Sequence, residues 1–229
     1  MKTFSVPFTD DIRILYAAKH LEEIGFIKVK NVNESDFVLL PVPAKKYMID
    51  AAEGKEISYS ADEAFLLENA YLTAEGALAL LKETSDKAIY SSRILITGYG
   101  RIARALHRAL SALGAKITVC ARSDTNRVEA AANGAYAIDF DKLKNKNEYD
   151  FVFNTVPHLV FTKAELDALE PDAVIYDLSS FPGGVDTLYA KSKGLRLVNG
   201  RGMPGKYSPK TAGILIAKTV IKMTKEESA

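Results

Sequence analysis

From Ser92 onward, short apolar runs alternate with segments whose apolar residues recur at helical spacing. Arg93–Thr97, Lys116–Ala121, Tyr149–Asn154, Ala173–Leu178 and Arg196–Asn199 predict strands. Arg101–Leu113, Asn126–Asn133, Thr162–Leu169 and a short piece at Tyr189–Ser192 predict helices. This alternation predicts an α/β domain built on a parallel sheet with helices on both faces. The first third is patterned more weakly. Thr3–Phe8 predicts a short strand. Ile14, Leu15, Ala18, Leu21 and Ile24 then fall on one helical face, with Asp10 or Asp11 as cap and Gly25 as stop. Phe37–Leu40 is a compact apolar run of the kind buried in parallel sheets, closed by Pro41 and Pro43. Tyr47–Ala52, Ala61–Asn69 and Thr73–Lys82 predict three separate helical pieces, and Pro209–Met223 a last helix.

Composition narrows the function classes. The 229 residues are 48% hydrophobic and 26% charged, as in ordinary globular proteins. Thirty Lys and Arg against 29 Asp and Glu give a net charge of +1, which offers no bulk attraction to nucleic acid or to an anionic membrane. A single cysteine, Cys120, excludes an intrachain disulfide and a Cys-rich zinc site. His20, His107 and His158 are widely spaced, so no metal site is expected. No secretory signal or membrane span is read, and a cytoplasmic protein is expected.

The run ILITGYGRIARAL carries the clearest chemistry. An apolar strand ends at Thr97, and Gly98, Gly100 and Ala103 follow in the pattern G-x-G-x-x-A as a helix begins. One glycine makes the tight turn, the second lets backbone approach a pyrophosphate, and the alanine packs helix on strand. The helix N-terminus offers free N–H groups to the phosphates. Gly98, Tyr99, Gly100, Arg101, Ile102 and Ala103 are therefore candidate cofactor residues of a Rossmann-type domain. An acid that takes the ribose 2′-hydroxyl of NAD should lie about 20 residues on. That place holds Ala121, Arg122 and Ser123, and Arg122 with Ser123 suits the 2′-phosphate of NADP. Asp124 could instead reach a 2′-hydroxyl, so NAD stays open. Cys120, inside the strand, reads as a small buried hydrophobe.

Four further segments fall in a telling order. They are NAYLTAEGA (Asn69–Ala77), NTVP (Asn154–Pro157), DLSSFPGGVD (Asp177–Asp186) and GMPGKYSPKTAG (Gly202–Gly213). Together with the glycine loop and the ARS run they resemble the family of the dipicolinate synthase A subunit, well over residues 69–224 and loosely before that through PVPA (Pro41–Ala44). The resemblance implies a two-domain NAD(P)-dependent dehydrogenase. It also implies a role in forming dipicolinate, a pyridine dicarboxylate of bacterial spores, together with a flavoprotein-like second subunit. Its domain architecture is similar to that of the 2-hydroxyacid dehydrogenases. It therefore implies a Rossmann-type domain over 85–205 and a smaller, shortened α/β domain over 1–84 completed by the C-terminal helix, 206–229. Assembly into a homo-oligomer is expected. Two departures stand out: the N-terminal region is shorter than the family implies, and His158 follows NTVP where a small polar residue is expected.

Under the resemblance Asn154, Thr155, Val156 and Pro157 face the nicotinamide ribose, with Leu178 and Ser179 at the same level on the next strand. Asp177 reads either as a catalytic group or as a turn cap. Ser180, Gly183 and Gly184 form a tight loop whose N–H groups could bind the nicotinamide amide or a substrate carboxylate. Lys206, Lys210 and Thr211 stand near the start of the last helix, where a substrate carboxylate would meet N–H dipoles and a positive charge. Lys210 could be the general acid or a solvated lysine. Glu75 is expected across the cleft. His158 could shuttle a proton or lie on the surface, and His20 and His107 read as packing or surface residues. The leading expectation is an NADP-linked oxidoreductase acting on a cyclic dihydro- or tetrahydropyridine dicarboxylate. The rivals are a non-catalytic NADP-binding subunit or redox sensor and another NADP-dependent small-acid reductase.

Overall fold

The computed structural model describes residues 2–146 and 148–226. The chain divides into two compact units, one of residues 1–72 with 204–229 and one of residues 73–203. The first boundary falls inside a helix, twelve residues before the position 84 expected from sequence.

The smaller unit opens with strand β1 (Thr3–Ser5), helix α1 (Ile12–Glu23), β2 (Ile27–Val29), β3 (Phe37–Val38) and α2 (Lys46–Asp50). Its three strands are parallel, in the order β2-β1-β3. Asp11 caps α1 by accepting from the Arg13 backbone N–H at 2.9 Å, and its carboxylate also holds the Arg13 guanidinium at 2.6 Å. Gly25, at φ +98°, closes that helix as expected. Strand β1 stops at Ser5, short of the expected Phe8, and β2 was not expected at all. The helices expected over Ala61–Asn69 and Thr73–Lys82 are one continuous helix, α3 (Glu63–Thr84), so Thr73 is an interior residue and not a cap. Length and apolar content alone would let α3 cross a membrane. Its Phe65, Ala70, Ala74, Ala77, Leu80 and Leu81 are buried within the protein.

The larger unit is regular. Strands β4 (Arg93–Thr97), β5 (Lys116–Cys120), β6 (Tyr136–Ile138), β7 (Phe151–Asn154), β8 (Val174–Asp177) and β9 (Arg196–Asn199) form one parallel sheet in the order β6-β5-β4-β7-β8-β9. Helices α4 (Arg101–Ala112), α5 (Asp124–Ala132), α6 (Lys163–Asp167) and α7 (Thr187–Ser192) make crossovers between them. The central strands are apolar on both faces: Ile94, Leu95, Ile96, Phe151, Val152, Phe153 and Ile175 are fully buried. This is the pattern of a doubly wound sheet, whose order reverses beside its first strand. Here the reversal lies between β4 and β7, so the carboxyl ends of those strands flank the crevice where such folds take ligands.

A short helix, α8 (Met203–Tyr207), precedes α9 (Pro209–Glu226). Leu215, Ile216, Ala217 and Val220 of α9 return to the smaller unit and share its core with Phe4, Ile14, Ala17, Leu21 and Phe37. Gly213 allows the close approach: a Cβ there would lie 2.4 Å from the Tyr16 Cβ and 2.6 Å from the Arg13 carbonyl oxygen on α1.

Candidate functional site

The glycine loop stands at the carboxyl end of β4. Gly98 has φ +84°, and a Cβ on it would meet the Thr155 hydroxyl at 2.7 Å. Only glycine fits that turn without strain. Gly100 is the N-terminal boundary residue of α4, with no side-chain cap and nothing within 4 Å of where its Cβ would stand. That open space, beside the uncapped N–H groups of a twelve-residue helix, is a cradle that a pyrophosphate fits. Ala103 is fully buried under the loop. The donors and the space therefore suit a dinucleotide.

The Tyr99 side chain, between the two glycines, turns inward and is 3% exposed. Its hydroxyl lies 2.9 Å from Nδ1 of His107 on α4, and the Arg104 guanidinium sits over its ring. His107 is buried, and its Nε2 has no hydrogen-bond partner. Burial holds the imidazole below its ordinary pKa.

A cavity of about 630 Å³ opens beside the loop. Gly98 and Tyr99 line it with Arg122, Ser123 and Asn126 after β5, Phe140, Asp141 and Lys144 after β6, and Val156 and His158 after β7. Arg122 and Ser123 are exposed, and no carboxylate stands between Lys116 and Ser123. Asp124 is the first residue of α5 and pairs with Arg127, which also donates to the carbonyls of Ala121 at 2.6 Å and Arg122 at 2.8 Å. Arg127 thereby fixes the backbone from which Arg122 projects. Lys144 and Asp141 lie 3.6 Å apart on the facing wall.

On the other side of β4, the ends of β7 and β8 carry a buried polar network. Thr97 donates to the Asn154 side-chain oxygen at 2.7 Å. The Asn154 amide donates to one oxygen of Asp177 at 2.8 Å, and the Ser179 hydroxyl donates to the same oxygen at 2.6 Å. The other Asp177 oxygen accepts from the Gly184 N–H at 3.3 Å and faces Arg201 at 3.5 Å. Thr155 donates its hydroxyl to the Thr97 carbonyl at 2.8 Å. One network thus ties the ends of three adjacent strands to the loop that follows β8.

Against known proteins, residues 69–179 match the model of the D-isomer specific 2-hydroxyacid dehydrogenase NAD binding domain. The A subunit of dipicolinate synthase from Bacillus subtilis (strain 168) is 33% identical over 162 residues, 70% of this chain and 54% of that protein. The crystal structure of the Bacillus subtilis dipicolinate synthase A chain superposes with a TM-score of 0.87 at 24% identity, covering 98% of this chain and 96% of that one. The A subunit from Bacillus halodurans gives 0.86 at 23%, covering 97% of each. The chain is a homologue of the dipicolinate synthase A subunit. It carries a dehydrogenase-type NAD-binding domain on the same fold. It spans about half the length of the curated relatives it matches.

Within that homology the expected residues separate into groups. Gly98–Ala103, Arg122, Ser123 and Val156 gather around the loop and cavity, and Asn154, Thr155, Leu178 and Ser179 gather at the strand ends beside it. Pro157 continues from Val156. His158 lines the same cavity as Arg122 and Ser123, and its backbone carbonyl also lies against the loop after β8, 2.9 Å from where a Cβ on Gly184 would stand. Asp177 is 7% exposed with both oxygens engaged, so its surroundings give it the part of a structural acceptor and not of a free acid or base. The N–H groups of Gly183 and Gly184, expected to face a ligand, are used internally, by the Ser180 carbonyl at 2.9 Å and by Asp177. Ser180 is exposed. Glu75 is an exposed residue of α3 in the larger unit. Lys206, Lys210 and Thr211 lie on α8 and α9 in the smaller unit, all exposed, with the Lys206 ammonium 5.0 Å from the centre of the Tyr207 ring. Cys120 is fully buried, and desolvation pushes its thiol up to about 12, so it is inert. Asp186 caps α7 by accepting from the Tyr189 N–H.

Sequence reasoning missed Tyr99's inward anchor on His107, the cavity wall at Phe140 and Lys144, and Arg201. Tyr99 carried the best available signal, a large ring between two loop glycines. Phe140 and Lys144 follow the edge strand β6, which the apolar pattern did not show.

Proposed function

We propose that this chain is an NADP-dependent oxidoreductase of the dipicolinate synthase A type, acting on a cyclic dihydro- or tetrahydropyridine dicarboxylate. The observation that carries the reading is the cavity beside Gly98 and Gly100, into which Arg122 and Ser123 open. A carboxylate at that place would select NAD, and Arg122 with Ser123 offers a cation and a hydroxyl to a 2′-phosphate instead. Asp124 is engaged by Arg127, which weakens its claim on a 2′-hydroxyl. When bound, the nicotinamide supplies or accepts a hydride. The residues of this chain would hold its phosphates at the α4 N-terminus, its 2′-phosphate at Arg122 and its ribose near Asn154 and Thr155. Lys210, exposed and without an ion pair among the described residues, is the proposed substrate-carboxylate contact and proton donor. The relative's name marks it as one component of a synthase with more than one kind of chain, and a flavoprotein-like second subunit is proposed here as partner.

The test is the affinity of the purified chain for NADPH and NADH, read from nicotinamide fluorescence without tryptophan background. The expected outcome is tighter NADPH binding. Arg122→Ala removes one charge-assisted contact worth about 1.5–3 kcal/mol, roughly ten- to a hundredfold in NADPH affinity, with NADH little changed. Equal loss for both cofactors would overturn the 2′-phosphate assignment.

A second reading, a non-catalytic NADP-binding subunit, is favoured by the engagement of Asp177 on all sides. Turnover of a dihydropyridine dicarboxylate by the isolated chain would exclude it.

A further inference from the structure

We propose that Arg201 is a positioning residue that clamps the loop 179–184 in the shape that receives the nicotinamide end of the dinucleotide. The inference deepens the cofactor reading above and rests on it. Arg201 lies just past β9, where the Arg201 N–H donates to the Asn199 side chain at 3.1 Å and the Gly200 N–H donates to the Asp177 carbonyl at 2.9 Å. These bonds turn the chain back over the end of β8. The guanidinium then reaches two carbonyls of the neighbouring loop. Its Nε donates to Ser179 at 2.8 Å, and its Nη2 donates to Pro182 at 3.1 Å. Nη2 also faces the Asp177 carboxylate at 3.5 Å. A planar fork with donors at fixed spacing holds two carbonyls three residues apart, which a single ammonium does not.

The loop is shaped around this group. Gly183 has φ +104°, and a Cβ on it would stand 2.4 Å from Nη2 of Arg201 and 2.9 Å from Oδ2 of Asp177. The guanidinium occupies the space that any larger residue would fill. At Gly184 a Cβ would stand 2.2 Å from the Asn154 side-chain nitrogen, so the loop's far end is seated on the β7 terminus. Between Ser179 and Gly183 the tip is exposed, with Ser180, Phe181 and Pro182 on the surface and Phe181 86% exposed.

Position assigns the ligand. With the adenosine end at Arg122 beyond β5, a dinucleotide lying across the reversal at β4 carries its nicotinamide toward the ends of β7 and β8. Past the segment that follows β7, the loop after β8 is the next backbone in that direction along the sheet. Arg201 touches no part of the adenosine cavity, so its effect is confined to one end of the cofactor.

The experiment compares two ligands on wild type, Arg201→Met and Arg201→Lys. One is NADPH; the other is 2′,5′-ADP, which has the adenosine end without the nicotinamide. Binding is followed by nicotinamide fluorescence and by competition, with the thermal midpoint measured alongside. The expected result is a tenfold or greater loss of NADPH affinity in Arg201→Met, with 2′,5′-ADP within twofold of wild type. The bound-state shift of nicotinamide emission is lost as well. Arg201→Lys keeps the charge opposite Asp177 and carries the test if the Met variant folds poorly; it shows the same selective loss. Gly183→Ala, which displaces the guanidinium from the other side, reproduces the pattern. NADPH affinity and emission unchanged in both Arg201 variants overturn the proposal alone. Equal loss of both ligands overturns it as well, since that is a fold effect. A wild-type chain that binds neither ligand overturns the cofactor reading and this proposal with it.

Discussion

Two glycines of one loop have opposite physical demands. Gly98 sits at φ +84° against Thr155, so Gly98→Ala strains the backbone and drives a Cβ into a hydroxyl. Gly100 has an ordinary φ of −83° and open space around it. Gly98→Ala is expected to lower the thermal midpoint and abolish cofactor binding together. Gly100→Ala should leave the midpoint within about 2 °C, since a ΔΔG below about 0.5 kcal/mol shifts it no further in a chain of this size, while weakening NADPH at least tenfold. If both variants lose stability alike, the open cradle at Gly100 is not there. His107 adds a pH dependence. Its folded pKa is lowered by burial, and its Nε2 has no partner to stabilise a second proton. Below the ordinary histidine pKa of about 6.5 the unfolded state therefore binds more protons, and stability falls as pH falls, by at most about 1.4 kcal/mol per pH unit. Urea unfolding of wild type and His107→Gln between pH 7.5 and 5 is expected to show the wild-type advantage shrinking with acid. A constant gap would mean that His107 titrates normally.

At the scale of elements, packing overrides propensity at Gly213. Alanine in a helix interior is favoured over glycine by about 1 kcal/mol. Here the added Cβ meets α1 backbone at 2.6 Å and 3.0 Å, and backbone does not yield as a flexible side chain does. Overpacking costs about 1–3 kcal/mol, so Gly213→Ala should destabilise the smaller unit despite its better propensity, as a lower urea midpoint. A raised midpoint would show that α1 and α9 can part freely. The same scale explains what was legible beforehand. Strands β4 and β9 and the start of α4 stand where the apolar pattern put them, because β4 is buried on both faces and the glycines mark its end. Strand β2 reads Ile-Lys-Val with its first two residues exposed, and β6 leaves Tyr136 in solvent, so neither edge carries a burial signal. The break expected before Thr73 failed because α3 is apolar on several sides and carries no clean stripe to follow. At the site, the phosphate loop was legible from local chemistry. Arg201 was not, since an arginine in a turn reads as solvated until the chain folds Ser179 and Pro182 against it.

The whole chain builds its smaller unit from both of its ends, which makes that unit conditional on α9. Leu215, Ile216, Ala217 and Val220 are 7% exposed or less in a core otherwise supplied by residues before Leu66. Burying the three large ones contributes about 1.5–3 kcal/mol each. Their sum is comparable to the entire stability of a small domain, about 5–15 kcal/mol. The six-stranded sheet of the larger unit draws every strand from residues 93–199 and needs none of them. A chain cut after Met203 is therefore expected to lose the smaller unit, seen as protease sensitivity within residues 1–62 and binding of a hydrophobic dye. It should keep the sheet's circular dichroism. It should also keep NADPH affinity within about tenfold, because the loop, Arg122 and Arg201 all remain. Full loss of cofactor binding with the sheet intact would mean that the smaller unit completes the nucleotide site, and Lys206, Lys210 and Thr211 would then be the residues to replace first.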